Sequence, residues 1–124
     1  MAEVSFPTNL RRQSEAVTGN KTLDEGDNGV VQVVTADATI TLPSTVAGYS
    51  YTIVNGGQGS TDGTIAINVS PAALDKIMGN GFTSADNKDA INTNGNYGDS
   101  IKLRGDGANG WVVEEVVGTW TREA

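Results

Sequence analysis

The clearest structural signal in this sequence lies in residues 30–54, which read VVQVVTADATITLPSTVAGYSYTIV. The first segment, Val30–Val34, is apolar on both faces apart from its central glutamine, which is typical of a central strand. The second, Thr39–Leu42, alternates apolar and hydroxyl side chains until a proline ends it. The third, Tyr49–Val54, places two tyrosines and an isoleucine on one face. Three strand patterns in succession predict a β domain.

The same pattern continues on both sides of this stretch. Short strand-like segments are followed by Gly, Asn, Asp or Pro, which favour turns. No segment requires a helix longer than two turns, so we predict an all-β fold, a small sandwich or barrel of about seven to nine short antiparallel strands. The further strand-like segments are Lys21–Leu23, Thr64–Val69, Asp75–Gly79, Asp99–Arg104, Trp111–Val117 and Gly118–Thr121.

The chain divides near residue 20. Residues 1–20 carry no sustained helical or strand periodicity, although they include Phe6 and Leu10. Large apolar side chains gain nothing from remaining exposed to water in a solvated tail. We therefore predict an extended N-terminal arm at residues 1–20 that becomes ordered against a partner. A frayed chain terminus is the alternative interpretation. The β-rich domain is predicted to span residues 21–124.

The composition excludes several kinds of chemistry. The 124 residues include no cysteine and no histidine, 16 glycines and only 6% aromatic side chains. Without cysteine there is no disulfide, thiolate nucleophile or cysteine-based metal site. Without histidine there is no Ser–His or Cys–His pair, and the commonest transition-metal ligand is missing. The sequence therefore favours a binding or structural role over an enzyme, with no cofactor and no metal.

The charge of the chain limits its partners. Eight basic and fifteen acidic residues give a net charge of −7, and the basic residues are scattered apart from the adjacent Arg11 and Arg12. Such a field repels phosphate backbones, so we expect no nucleic-acid partner. No apolar run approaches the roughly 20 residues of a membrane span. Residues 1–7 lack the basic and apolar regions of a signal peptide, so we expect neither membrane insertion nor secretion.

Three patterns are similar to functional sites, and we interpret each of them as turns. The pair Asp86 and Asp89 has the carboxylates that a glycosidase needs, but few aromatic residues lie nearby. Asp24–Gly29 has the oxygen ligands of a calcium loop without its spacing. Arg104–Asp106 is the tripeptide Arg-Gly-Asp, which integrins bind, and it falls at a predicted hairpin tip.

Two tryptophans stand near the end of the chain, Trp111 and Trp120. A tryptophan at the start of a late strand in a small β domain usually belongs to the core. A subunit interface is the second interpretation of both residues, and stacking against a sugar ring is the third.

The order of these segments resembles a β-rich module of tailed-bacteriophage structural proteins, especially small head-decoration (cement) proteins and fibre-associated domains. The resemblance covers about residues 22–121, with a poor match over residues 80–97, and it does not include the arm. It rests on the following motifs: Asp27-x-Gly29-Val30, Ala38–Pro43, Gly48-Tyr49-x-Tyr51–Asn55, Thr64-Ile65-x-Ile67, Asp75-x-Ile77-x-Gly79, Gly98–Ile101-x-Leu103, Asn109–Val113 and Gly118–Trp120.

The resemblance implies a non-enzymatic virion protein, made in the host cytoplasm, that decorates the capsid exterior as a homotrimer bound to the major capsid protein. A fibre- or tail-associated attachment module is the first alternative, and an enzyme or carbohydrate-binding accessory is the second. From residue type alone, and not from a family motif, we assign capsid contacts to the arm. They are the apolar Val4, Phe6, Pro7 and Leu10 and the basic Arg11 and Arg12.

Overall fold

The computed structural model describes residues 13–57, 64–79, 81–82 and 87–124. These residues form two β-sheets, of six and five strands, and one turn of 3-10 helix at Glu25–Asp27. The strands are β1 (Ser14–Val17), β2 (Lys21–Thr22), β3 (Val31–Val34), β4 (Ala38–Thr41), β5 (Ser50–Asn55), β6 (Ile67–Ser70), β7 (Lys76–Met78), β8 (Ala90–Asn92), β9 (Ser100–Gly105), β10 (Gly110–Val117) and β11 (Thr121–Arg122).

The first half of the chain winds between the two sheets. The six-stranded sheet has the order β1-β3-β5-β9-β10-β7, and the five-stranded sheet has the order β11-β8-β6-β4-β2. Strands β1 to β6 therefore alternate between the sheets, and strands two apart in sequence pair in parallel. We call this part, residues 14–70, the winding region. Its first strands, β1 and β2, lie at the same margin of the fold.

The second half of the chain closes the fold with mostly antiparallel pairs. Strand β9 pairs with β5 and with β10, while β8 pairs with β6 and with β11. Strand β7 is the exception, because it runs parallel to β10 at the far edge of the six-stranded sheet. The later strands therefore extend each sheet at one edge only, beside β5 in one sheet and β6 in the other. The opposite edges are formed by β1 and β2, and we call this side of the fold the β1–β2 margin.

One apolar cluster lies between the sheets and takes side chains from both. The parallel pairing places inward-facing residues of neighbouring strands side by side, so Ile40 of β4 lies opposite Val69 of β6. In the other sheet Tyr51 packs against Trp111, with ring centroids 5.3 Å apart and planes tilted by 48°. Burial of a side chain of this size stabilises the fold by roughly 1.5–3 kcal/mol. The core follows from the alternation visible in the sequence.

A buried polar network joins the two sheets at one end of this core. The Asn55 side chain in β5 donates to Asn92 in β8 over 3.0 Å, and the Asn92 amide donates to Asp99 over 3.1 Å and to the Thr119 carbonyl over 3.0 Å. All three side chains in this chain of bonds are buried. Because buried polar groups without partners are costly, the network fixes how β5 and β8 face each other.

The expectation of an all-β fold is confirmed, but the predicted strand number and direction are wrong. The described residues contain eleven strands rather than seven to nine, and five of their nine pairings are parallel. Short connections between strands suggest hairpins when they are read from sequence alone. In the winding region they instead carry the chain across from one sheet to the other, so consecutive strands there are not neighbours.

Pairing also begins earlier than residue 20. Ser14–Val17 forms strand β1, which lies parallel to β3, and Val17 is 4% exposed. Four residues of the predicted arm, Ser14–Val17, are therefore part of the six-stranded sheet. Residues 1–12 lie outside the described residues, and the arm contacts assigned from sequence all fall among them. They are Val4, Phe6, Pro7, Leu10, Arg11 and Arg12.

Candidate functional surface

The β1–β2 margin is where the predicted arm joins the domain. Strand β1 is the outermost strand of one sheet and β2 is the outermost strand of the other. The Leu23 amide donates inward to the Thr41 carbonyl over 2.8 Å. Since successive residues of a strand direct their backbone groups to opposite sides, the amide and carbonyl of Thr22 face away from β4. Within the described residues nothing pairs with this outer edge.

A charged cluster closes the core at the same margin. Lys21 of β2 lies directly opposite the buried Ile40 of β4. The Cβ of Lys21 therefore points toward the core. Its ammonium group forms an ion pair with Glu15 of β1, a second one with Asp27 over 3.2 Å, and a hydrogen bond to the Gln32 oxygen of 2.9 Å. The three donors of the ammonium group are thus matched by three acceptors.

The cluster stabilises its own charged state. Desolvation works against the charge of Lys21, but the hydrogen bonds and charges of Glu15 and Asp27 outweigh it and raise the pKa of the ammonium group. For Asp27 desolvation also favours the neutral form, but the backbone amide of Asp24 and the Lys21 ammonium group outweigh it and lower its pKa. At neutral pH both groups are therefore charged and paired.

The surface beside this cluster is a shallow, open depression of about 300 Å³. Its lining is polar, and Lys21 has no donor left for a ligand. Gln32 is fully buried, and its side-chain nitrogen has no partner within the described residues. We interpret the cluster as a polar end to the winding region, because inward-pointing charge is one way in which proteins protect sheet edges. The depression is lined by Gln13, Ser14, Glu15, Gly26, Asp27 and Val30.

The charged side chains of the Arg-Gly-Asp tripeptide form hydrogen bonds within the β9–β10 hairpin. The Asp106 carboxylate accepts hydrogen bonds from the backbone amides of Ala108, Asn109 and Gly110 over 2.7–3.0 Å. These amides, that of Gly110 first, hold the pKa of Asp106 at about 2. Arg104 points to the neighbouring strand and donates to Glu114 over 2.8 Å. The turn interpretation of this motif accounts for both charged side chains.

The calcium-like loop is a capped turn. The Asp24 carboxylate accepts from the Gly26 amide over 2.9 Å, and the Asp27 carboxylate accepts from the Asp24 amide over 3.0 Å. The two acids therefore satisfy backbone donors of their own turn, as a capping box does. Across the described part of the chain, no three acidic side chains are grouped so that they could hold a metal ion.

The acid pair suggested for glycoside hydrolysis is only half described. Asp86 lies outside the described residues. Asp89 is half-buried and accepts from the Asn68 amide group over 3.4 Å, while its backbone amide donates to Glu123. Asp89 thus helps to attach the end of the chain to β8. The carboxylate beside it is that of Glu123, which accepts from the backbone amide of Asp89 and therefore holds the end of the chain.

Both tryptophans belong to the apolar core between the two sheets. Trp111 is fully buried beside Tyr51, and Trp120 is 8% exposed with its indole N–H donating to the Val117 carbonyl over 3.1 Å. Core placement was the first of the three sequence interpretations. Trp111 offers no surface to another subunit in this conformation, and Trp120 offers very little.

Sequence reasoning missed the charged cluster and the open edge of β2. The available signal was Lys21 itself, because the pattern Lys21-Thr22-Leu23 places a charge at a position that points inward. A comparison with models of known protein families gives no match, and a comparison with curated protein sequences gives none either. Across the described residues no helix has the length and apolar character to span a membrane.

Proposed function

We propose that this protein is a non-enzymatic structural component of a phage virion that binds the outside of the assembled capsid through its N-terminal arm. The position of the arm's root is the observation that carries the proposal. Residues 1–12 precede Gln13 and β1 in the sequence, and β1 is the outermost strand of its sheet within the described residues, so the described fold begins at its margin. An arm rooted there can reach a partner while the domain stays folded.

The chemistry of the arm defines the partner surface that it fits. Val4, Phe6, Pro7 and Leu10 supply apolar contacts, and Arg11 and Arg12 supply positive charge at the root. The rest of the chain is strongly acidic, with a net charge of −7 overall. The arm therefore suits an acidic rim around an apolar recess on the major capsid protein, whereas the domain would be repelled by the same acidic surface.

Binding to the assembled lattice alone would stabilise the shell. A ligand that binds one state of an assembly shifts the population toward that state by mass action. If three copies act together as a trimer, three arms engage at once, and modest contacts per arm sum to a high avidity. The acidic domain would then remain on the capsid exterior and keep many copies soluble at high local density.

The test compares arm variants on purified, expanded phage heads by co-sedimentation. The natural chain should be retained, while a chain of residues 13–124 and the variant Arg12→Glu should lose at least tenfold in affinity. Arg122→Glu is the matched control, because it makes the same charge change at an exposed position of β11. Equal retention of all four proteins would refute the role of the arm. No retention, together with binding to host cells, would instead favour the fibre or tail alternative.

A further inference from the structure

Five asparagines in this chain are followed directly by glycine: Asn28, Asn55, Asn80, Asn94 and Asn109. Such a pair can close into a succinimide when the backbone nitrogen of the glycine reaches the side-chain Cγ of the asparagine, and glycine has no side chain to hinder the approach. Because the pair is the same at each position, differences among them in the folded chain depend on what holds the two groups. Asn80 lies outside the described residues, so four pairs can be compared.

Hydrogen bonds and burial hold the first two of these pairs. The Asn28 side-chain oxygen accepts from the Ser50 amide over 2.8 Å, and the Gly29 amide donates to the Ser50 carbonyl over 2.8 Å. Asn55 is fully buried, and its side chain donates to Asn92 over 3.0 Å. In both pairs the asparagine side chain must leave its partners before it can react, which the folded state opposes.

The pair at Asn109 is exposed, but the nitrogen of its glycine is engaged. The Gly110 amide donates to the Asp106 carboxylate over 3.0 Å. The pKa of Asp106 is about 2, so the carboxylate is charged at neutral pH. A negative charge beside the Gly110 nitrogen opposes the loss of its proton, and the attack on Cγ depends on that loss.

The pair Asn94-Gly95 differs from the other three. It lies in the connection between β8 and β9, where Asn94 is exposed and has a φ of +52°. Asparagine tolerates this left-handed conformation, although it is a sparsely populated one. In the described part of the chain no hydrogen bond engages the Asn94 side chain or the Gly95 amide. Neither reacting group therefore has a bond to break before the two approach each other.

The same turn packs against the buried polar network. A Cβ added to Gly95 would lie 2.5 Å from Asn92 Oδ1 and 2.7 Å from Asp99 Oδ2, so the Gly95 backbone is in close contact with both side chains. The following amide, that of Asn96, donates to the Asp99 carboxylate over 2.9 Å. A longer backbone at Asn94 would therefore displace Gly95 or Asn96 relative to the two buried side chains.

We propose that Asn94 is a site of spontaneous deamidation and that the isoaspartate formed there loosens the contact between the two sheets. Hydroxide removes the proton from the Gly95 nitrogen, which attacks Cγ of Asn94. The side-chain nitrogen takes a proton from water and leaves as ammonia, and a succinimide ring remains. Water then opens the ring at either carbonyl and gives aspartate or isoaspartate. Isoaspartate adds one methylene to the main chain before Gly95 and one negative charge to the turn.

The network transmits this change to the packing of the sheets. Asn92 joins Asn55 of β5 to Asp99, so a displaced turn alters a set of bonds that spans both sheets. Buried polar networks are costly when one member loses its partner. The reaction needs only water and hydroxide, and the inference does not depend on the proposed capsid function.

Peptide mapping of aged protein tests the site. The natural chain is incubated at mildly alkaline pH and digested, and the products at each pair are quantified by mass spectrometry. Asn94 should deamidate at least tenfold faster than Asn28, Asn55 and Asn109. The matched control is the same chain unfolded in guanidinium chloride, where the four rates should lie within threefold of one another. A smaller preference in the folded chain, or an equal preference in the unfolded chain, would overturn the proposal.

Thermal unfolding of the separated product tests the effect on the network. The isoaspartate form, purified by ion exchange, should have a lower Tm than the unaged chain. The control variant Asn94→Gly deletes the reacting side chain and accepts the positive φ, so its Tm should not change during the same incubation. An isoaspartate form as stable as the unaged chain, or an equal fall in Tm for aged Asn94→Gly, would overturn the proposed loosening.

Discussion

Removal of the Lys21 ammonium group should destabilise the margin at which β1 and β2 meet. The substitution Lys21→Met keeps a long apolar side chain at the core position and deletes only the charge. It removes the hydrogen bond that the oxygen of the fully buried Gln32 side chain accepts, and it leaves Asp27, whose side chain is 14% exposed, without the Lys21 ion pair. The substitution therefore isolates the polar function of Lys21 from its packing.

The expected magnitude follows from the exposure of each partner. A buried acceptor left without a partner costs roughly 1–3 kcal/mol. The pair with Glu15, whose side chain is 49% exposed, contributes at most about 1 kcal/mol. We expect a total loss of about 2–4 kcal/mol in the free energy of unfolding, which corresponds to a fall in Tm on the order of 10 °C.

Urea unfolding followed by circular dichroism measures this loss, and a second substitution tests its cause. In the Lys21→Met background, Gln32→Leu removes the isolated amide, so the double variant should regain about 1–2 kcal/mol. The raised pKa of Lys21 adds a pH signature. Its stabilisation is present below the unfolded pKa and is lost as the pH rises through the folded pKa, and Lys21→Met should lack this alkaline loss. A Lys21→Met protein within 0.5 kcal/mol of the natural chain would refute the reasoning.

Three further predictions concern other parts of the fold. Asn92→Ala should lower the free energy of unfolding by about 2–4 kcal/mol in urea titrations, because it removes the bonds to Asn55, Asp99 and the Thr119 carbonyl. Gly118→Ala should lower Tm by several degrees, since Gly118 has a φ of +85° and an added Cβ would overlap the Asp99 carboxylate. Asp106 has a folded pKa of about 2 against an ordinary value of 3.8, so its stabilisation is present above pH 4 and is lost as the pH falls toward 2. Acid titration of Asp106→Asn should therefore show a smaller loss of stability over that range than the natural chain.

Strand positions and core faces could be predicted from the sequence, because alternation reports directly which side chains are buried. The alternation over Thr39–Leu42 predicts that Ile40 and Leu42 point inward, and both side chains are buried. The turn at residues 105–110 was also recognised, since Gly and Asn at a strand end favour a hairpin connection. These features depend on a few consecutive residues, which is the range over which a sequence pattern is informative.

Strand partners could not be predicted, because alternation does not identify the neighbouring strand. Segments 31–34 and 38–41 follow each other closely, yet they belong to different sheets. Strand β1 was missed because three of its four residues are exposed at an edge, which removes the apolar alternation. The Lys21 cluster was missed because its members, at positions 15, 21, 27 and 32, meet only after the chain has wound through two sheets.

Binding to phage heads before and after shell expansion tests the central claim most directly. Purified protein is mixed with unexpanded and with expanded heads of the phage that the proposed function implies as its source, and the bound copies are counted after sedimentation. The account predicts saturable binding to expanded heads, at a fixed number of copies per capsid subunit, and at least tenfold weaker binding to unexpanded heads. Absence of binding to expanded heads at micromolar concentration would contradict it.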